Sequence, residues 1–214
     1  HQTTFSICKK SGSQDAVCFH NLQIEAPGKH NILNSMAAFL AVKELMKLTI
    51  SPENVATCNM IFDAFSSWKG VARRFDFRIV QEDIIYIDDY AHHPEEIKAF
   101  LSAVKSIYPS KKSTGIFQPH LFSRTRDFAH EFAESLAALD EVILLEIYPA
   151  RELPIEGITS SYLLDLIHVE NKKVIQKEDL IPYLIQHKPE LLLTIGAGNI
   201  DQFVPEIEKV FKKL

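Results

Sequence analysis

Two carboxylates, a tyrosine and two histidines lie together between Asp88 and His93, in the run IIYIDDYAHHP over residues 84–94. Aspartate and histidine can ligate a metal, move protons or hold a cation, and here they follow directly on an apolar stretch. Val80 and Ile84–Ile87 are β-branched and aromatic enough for a buried strand. Pro94 suits the first turn of the helix that follows, EEIKAFLSAVKSIY, and Glu95 and Glu96 sit near its positive end. Asp88, Asp89, His92 and His93 are therefore expected on a loop at the carboxyl end of a strand, where open α/β sheets place their ligands.

Two more strand ends carry polar groups. FQPHLFSRTRD brings Gln118, His120, Arg124 and Arg126, and LEIYPARE brings Tyr148, Arg151 and Glu152. In a parallel sheet the loops after different strands converge on one rim, so all three can face a common cleft. A guanidinium fork suits carboxylate or phosphate, and Arg124 is expected to serve that purpose. Arg126 is expected instead to pair along its helix with Asp127 or Glu131. Of Arg73 and Arg74, one is expected to pair with Asp76 while the other projects into a cleft between domains. A metal-dependent phosphoesterase would need more ligands at the other strand ends than His120 and His130 supply, so a metal cage built by protein alone is the weaker reading. TIGAGN at 194–199 falls short of a dinucleotide fingerprint, and its glycines are expected to permit a tight turn and close packing. In GKHNILN, Asn31 and Asn34 lie on one helix face, where amides can read an adenine edge or simply cap the helix.

The elements that must hold these groups alternate from about Arg73 onward. Strands are read at Ile84–Asp88, Gly115–Gln118, Glu141–Glu146, Lys173–Ile175 and Leu191–Ile195. Helices are read at Pro94–Tyr108, Thr125–Leu139, Ser160–Ile167, Lys177–Gln186 and Asn199–Lys213. Such alternation implies an α/β fold with a mainly parallel sheet covered on both faces. Upstream, residues 3–8 and 16–24 alternate like an antiparallel pair. A helix is read from about Asn31, and another from Ser51-Pro52 to near Trp68. Two strands and two helices are thin for an independent domain, so this stretch is expected to be the end of a larger one, joined to the next at Gly70–Phe75.

The 214 residues carry a net charge of −5 with a pI near 6.0, which argues against a nucleic-acid partner. Cys8, Cys18 and Cys58 lack metal-type spacing and are expected to be reduced thiols of a cytoplasmic protein. No apolar run reaches the length of a membrane span, and the start HQTTFSICKK has neither signal-peptide features nor an initiator methionine. The chain is expected to begin inside a longer protein.

PGKHNILNSMAA, GVARRFD, DDYAHHPEEI, FQPHLFSRTRDFAHEFA, EIYPARELPIEGITS and GAGNI, in this order along nearly the whole chain, resemble the Mur ligase family. That resemblance implies that residues 1–72 are the C-terminal part of the central ATPase domain and 73–214 the Rossmann-like C-terminal domain. It implies a reaction in which ATP and Mg2+ activate the carboxylate of UDP-N-acetylmuramate as an acyl phosphate, which the amino group of L-alanine attacks, in peptidoglycan synthesis. Carried over to matching positions, Asn31 and Asn34 lie on the nucleotide side, Arg74 and Asp89 close over ATP, and His92 and Arg124 approach the amino acid. Leu121 stands where members carry an arginine after QPH, which leaves more of the carboxylate contact to Arg124. The family's GTHGKT phosphate loop, its UDP-sugar domain and its central-domain magnesium ligands have no counterpart here, so the chain alone is expected to be inactive. It is expected to be a monomer or weak homodimer. The alternatives are the recycling ligase that attaches a preformed tripeptide, and a non-catalytic module binding amino acids or nucleotides.

Overall fold

The computed structural model describes residues 3–11, 14–24, 27–47, 55–66 and 71–212. The chain divides into two compact units, His1–Gly70 and Val71–Leu214.

In the first unit, β1 (Thr3–Ser11) pairs antiparallel with β2 (Gln14–Ile24), as the alternation suggests. The register sets Cys8 opposite Cys18, and the two are joined by a disulfide. Reduced thiols are expected at both, because spacing along the chain does not reveal which residues a hairpin brings face to face. Cys58 is a free, buried thiol. α1 (Lys29–Leu45) and α2 (Val55–Ser66) follow, and Phe39 stacks on Phe62 with ring centroids 4.4 Å apart over Leu22 and Cys58. The expected Ser51 cap and Pro52 first turn lie outside the described residues.

The second unit is built on a six-stranded sheet in the order β3-β4-β8-β5-β6-β7. Its strands are β3 (Asp76–Val80), β4 (Ile85–Asp89), β5 (Ser113–Phe117), β6 (Glu141–Leu144), β7 (Asn171–Val174) and β8 (Leu191–Ile195). All neighbouring pairs are parallel except β3, which returns antiparallel beside β4. That edge strand is absent from the sequence reading, where Val80 joins the apolar run ahead of Ile84. The charged QED turn instead reverses the chain, with the Gln81 amide donating to the Ile84 carbonyl. β4, β5 and β8 are buried along their whole length, as strands covered on both faces must be.

Ile85, Ile87, Phe117, Val142 and Leu193 pack on one face against α3 (Pro94–Ile107), α5 (Ala129–Leu136) and α6 (Ser160–Leu166). Tyr86, Ile116, Ile143 and Leu192 pack on the other against α7 (Lys177–His187) and α8 (Phe203–Phe211). The expected single helix over Thr125–Leu139 is two: α4 (Phe122–Asp127) and α5, broken at Phe128, whose φ is −122°. Asn199–Gln202 forms a 3-10 turn ahead of α8. Since β8 inserts between β4 and β5, the chain leaves β4 and β5 around it, and the loops after β4, β5, β6 and β8 gather at one rim.

Candidate functional site

Asp88 and Asp89 are the last residues of β4, not loop residues, because β8 extends the parallel ladder to Asp88↔Thr194 and Asp89↔Ile195. Successive strand residues face opposite sides, so the two carboxylates have separate surroundings. Asp88 accepts from the Thr194 hydroxyl at 2.6 Å and from Arg73 Nε at 3.0 Å. Burial raises its carboxyl above the ordinary value, with Thr194 and Arg73 pulling the other way. Arg73 also donates to the Gly196 carbonyl at 2.6 Å, which ties the turn before β3 to the loop after β8. Asp76 accepts from the Arg73 amide, but its guanidinium partner is Arg78, not Arg73 or Arg74. Asp89 accepts from the amides of Phe75 at 2.7 Å and Ala91 at 2.8 Å; burial pushes it up to about 6 despite both.

These bonds hold an unusual turn. Arg73 and Phe75 have φ of 61° and 49°, so Arg74 is flanked by two residues in the left-handed region, each costing on the order of 1–2 kcal/mol. Arg74 itself is held loosely. Its side chain is 53% exposed, 3.8 Å from Glu96 and over the Tyr90 ring at 5.8 Å. One arginine is locked and its neighbour is presented.

Across the rim, His92, His120 and Arg124 come together. His92 Nδ1 lies 3.0 Å from the Tyr90 carbonyl and 3.4 Å from Glu96, and its ring meets that of His120 at 6.1 Å. His120 stacks on Tyr148 at 5.6 Å, and Arg124 reaches its Nδ1 at 3.3 Å. A guanidinium only donates, so Nδ1 accepts and the neutral ring carries its proton on Nε2. Burial, then the charges of Arg124 and His92, hold His120 below the ordinary histidine range. Arg124 and the His120 Nε2–H are thus the donors here suited to an anionic carboxylate. Arg126 pairs with Asp127 at 2.7 Å on the surface, as expected, and Arg151 is exposed. Among the described residues no three His, Cys, Asp or Glu side chains gather as metal ligands, and Asp88 and Asp89 are already engaged.

The glycine turn after β8 is filled by protein. A Cβ on Gly198 would lie 2.4 Å from Gln118 Oε1 and 2.8 Å from Tyr148 Cβ; one on Gly196 would lie 2.9 Å from the Gln118 carbonyl. Buried Gln118 accepts from the Ile200 amide at 2.9 Å and donates to Asn199 at 2.9 Å. The glycines thus admit Gln118, which agrees with the packing reading.

Residues 73–198 match the domain described as "Mur ligase, glutamate ligase domain". The chain belongs to the Mur ligase family. It is 47% identical over 205 residues to the UDP-N-acetylmuramate–L-alanine ligase of Cytophaga hutchinsonii, covering 96% of this chain and 41% of that protein. It is 48% identical over 189 residues to the ligase of the same name from Flavobacterium psychrophilum, covering 88% and 40%. The crystal structure of the UDP-N-acetylmuramate–alanine ligase of Thermotoga maritima superposes with a TM-score of 0.66 at 25% identity, over 92% of this chain and 43% of that one. The chain spans about two fifths of the length of the curated relatives it matches.

For a Mur ligase, the residues expected on the nucleotide side can be tested against ATP. Asn31 is half-buried at the start of α1, and its Nδ2 donates to the Pro27 carbonyl at 2.7 Å, which leaves its oxygen as an acceptor. Asn34, one turn on, is exposed. Within the first unit the two amides are of the donor and acceptor type that pairs with an adenine edge, and within the second Arg74 is an exposed cation of the type that binds phosphate. These residue types fit the nucleotide. Among the described residues no helix is long and apolar enough to cross a membrane.

Proposed function

We propose that this chain is the C-terminal part of a cytoplasmic, ATP-dependent Mur ligase that joins L-alanine to UDP-N-acetylmuramate in peptidoglycan synthesis. On this reading residues 1–72 end the central ATP-binding domain and 73–214 form the domain that receives the amino acid. The observation that carries it is the gathering of Arg124, His120 and His92 at the rim, where the guanidinium and the His120 Nε2–H can donate to a small carboxylate, in a chain 47% identical to an L-alanine-adding relative.

Bound ATP, with Mg2+, supplies the phosphoryl group that activates the muramyl carboxylate. Asn31 and Asn34 would hold the adenine. Arg74 would supply positive charge to the phosphates, which phosphoryl transfer chemistry requires. Asp89 serves that arginine through the Phe75 amide, keeping the strained turn in place. Arg124 and His92 orient the L-alanine carboxylate so that its amino group points to the activated carbon. No residue of this chain is assigned to the metal.

The test is phosphate release by the complete reading frame with ATP, Mg2+ and UDP-N-acetylmuramate, comparing no acceptor, L-alanine and a preformed tripeptide. Release that depends on L-alanine is the expected result. Dependence on the tripeptide assigns the chain to the recycling ligase. Release with neither acceptor overturns the reading.

A further inference from the structure

The loop after β6 is bound to the loop after β5 by reciprocal backbone hydrogen bonds. The Tyr148 amide donates to the Pro119 carbonyl at 2.8 Å, and the Leu121 amide returns to the Tyr148 carbonyl at 2.9 Å. Beyond Tyr148 the chain turns through Ala150, with φ of 50°, and the Glu152 amide donates to the Pro149 carbonyl at 2.9 Å. That turn delivers the Glu152 carboxylate to the first turn of α4. One oxygen accepts from the Ser123 amide at 2.9 Å and the other from the Ser123 hydroxyl.

α4 needs this help. It is preceded by Leu121, with φ of 72°, and no side chain at its own N-cap accepts from its first turn. The orphan amides of a helix start must find an acceptor somewhere, and here the acceptor comes from another strand's loop. Ser123 precedes Arg124, whose guanidinium meets His120 at 3.3 Å. His120 belongs to the same clasp through its bridge to Tyr148. Moving the first turn of α4 therefore moves Arg124 away from His120. The bonds from Ser123 also hold the Glu152 carboxyl below the ordinary glutamate range, consistent with a charged acceptor near neutral pH.

We infer that Glu152 is a positioning residue: it locks the first turn of α4 to the β6 loop, and so sets Arg124 against His120 at the place where the amino-acid carboxylate is received. This rests on the function proposed above. Glu152 does not touch the substrate; it acts through Ser123.

Two measurements on the complete enzyme test it. In steady-state phosphate release, Glu152→Ala is expected to raise KM for L-alanine by about tenfold or more, while kcat at saturating L-alanine and KM for ATP stay within about twofold. Glu152→Gln can still accept from the Ser123 amide and donate to its hydroxyl, and is expected to restore KM to within about threefold of wild type. In a 15N spectrum, His120 Nδ1 is expected to report an acceptor in wild type, to shift in Glu152→Ala, and to return in Glu152→Gln. Equal losses in kcat, both KM values and thermal stability would reduce Glu152 to a merely structural residue and overturn the inference. So would an unshifted His120 signal in Glu152→Ala. If wild type shows no dependence on L-alanine, the proposed function fails instead, and the His120 signal still decides whether Glu152 holds Arg124.

Discussion

Arg73 and Arg74 differ by one position and have opposite fates. Arg73 is bonded to Asp88 and to the Gly196 carbonyl, whereas Arg74 is more than half exposed. An exposed ion pair such as Arg74–Glu96 contributes at most about 1 kcal/mol. Arg74→Ala is therefore expected to leave the unfolding free energy within about 1 kcal/mol of wild type while lowering kcat by on the order of 10²- to 10³-fold. Comparable losses in urea denaturation and in turnover would remove its catalytic role. Arg73→Ala should instead lower stability and turnover together, because it strands the buried Asp88 charge at a cost of about 3–5 kcal/mol and releases the turn that presents Arg74. Asp89 adds a pH signature. Folding raises it from 3.8 to about 6, so between these values the folded chain keeps a proton that the unfolded chain has lost. Its contribution to stability is full below about pH 4 and is lost as pH rises through about 6, by up to about 3 kcal/mol. A carboxyl 13C titration should place its midpoint near 6; a midpoint at the ordinary value would show that the Phe75 and Ala91 amides cancel the effect of burial. None of this is legible in RRF or DDY alone. The residue types announce a charged site, but which arginine is locked depends on φ values and on a partner strand about 120 positions away.

At the scale of elements, what the sequence shows is what strand and helix periodicity can show. Leu191–Ile195 is apolar but for Thr194 and is bounded by Glu190 and Gly196, and its ends are found where the pattern sets them. Ser113 and Thr114 are polar, so the pattern starts β5 two residues late; the ladder to β8 recruits both, with Asp140 accepting from the Ser113 amide at 2.8 Å. The break between α4 and α5 has no glycine or proline to announce it. It follows from Phe128 leaving helical geometry to set its ring 4.8 Å from His93, and from Glu152 holding the start of α4. Gly115 is a case where a small residue in a strand has a reason outside its own element. A Cβ there would lie 2.4 Å from Leu139 Cδ1, at the end of the segment that leads from α5 into β6. Gly115→Ala is expected to cost about 1–3 kcal/mol by overpacking, read as a lower urea midpoint at unchanged slope. Combined with Leu139→Ala the penalties should not add, since the smaller side chain removes the clash. Strict additivity would mean that Leu139 swings aside without strain.

For the whole molecule, the two units differ in what each can bury. The described core of Thr3–Ser66 centres on Leu22, Phe39, Cys58 and Phe62, whereas Val71–Leu214 carries apolar clusters on both faces of a six-stranded sheet. Both clusters in the second unit are built from residues between Phe75 and Phe211, and the strained turn at Arg73–Phe75 finds its partners within the same unit. A unit that satisfies its own buried polar groups and covers both faces of its sheet has what independent folding requires. Expressed alone, residues 71–214 are thus expected to give a dispersed amide spectrum and a single cooperative urea transition. The Asp88 and Asp89 carboxyls should titrate as they do in the longer chain, because every group that shifts them is retained. A non-cooperative transition with collapsed amide dispersion would show that the first 70 residues supply part of the second unit's core. A cooperative fold in which only the Asp88 and Asp89 titrations change would be more informative, since it would locate the dependence at the Val71–Phe75 turn that presents Arg74.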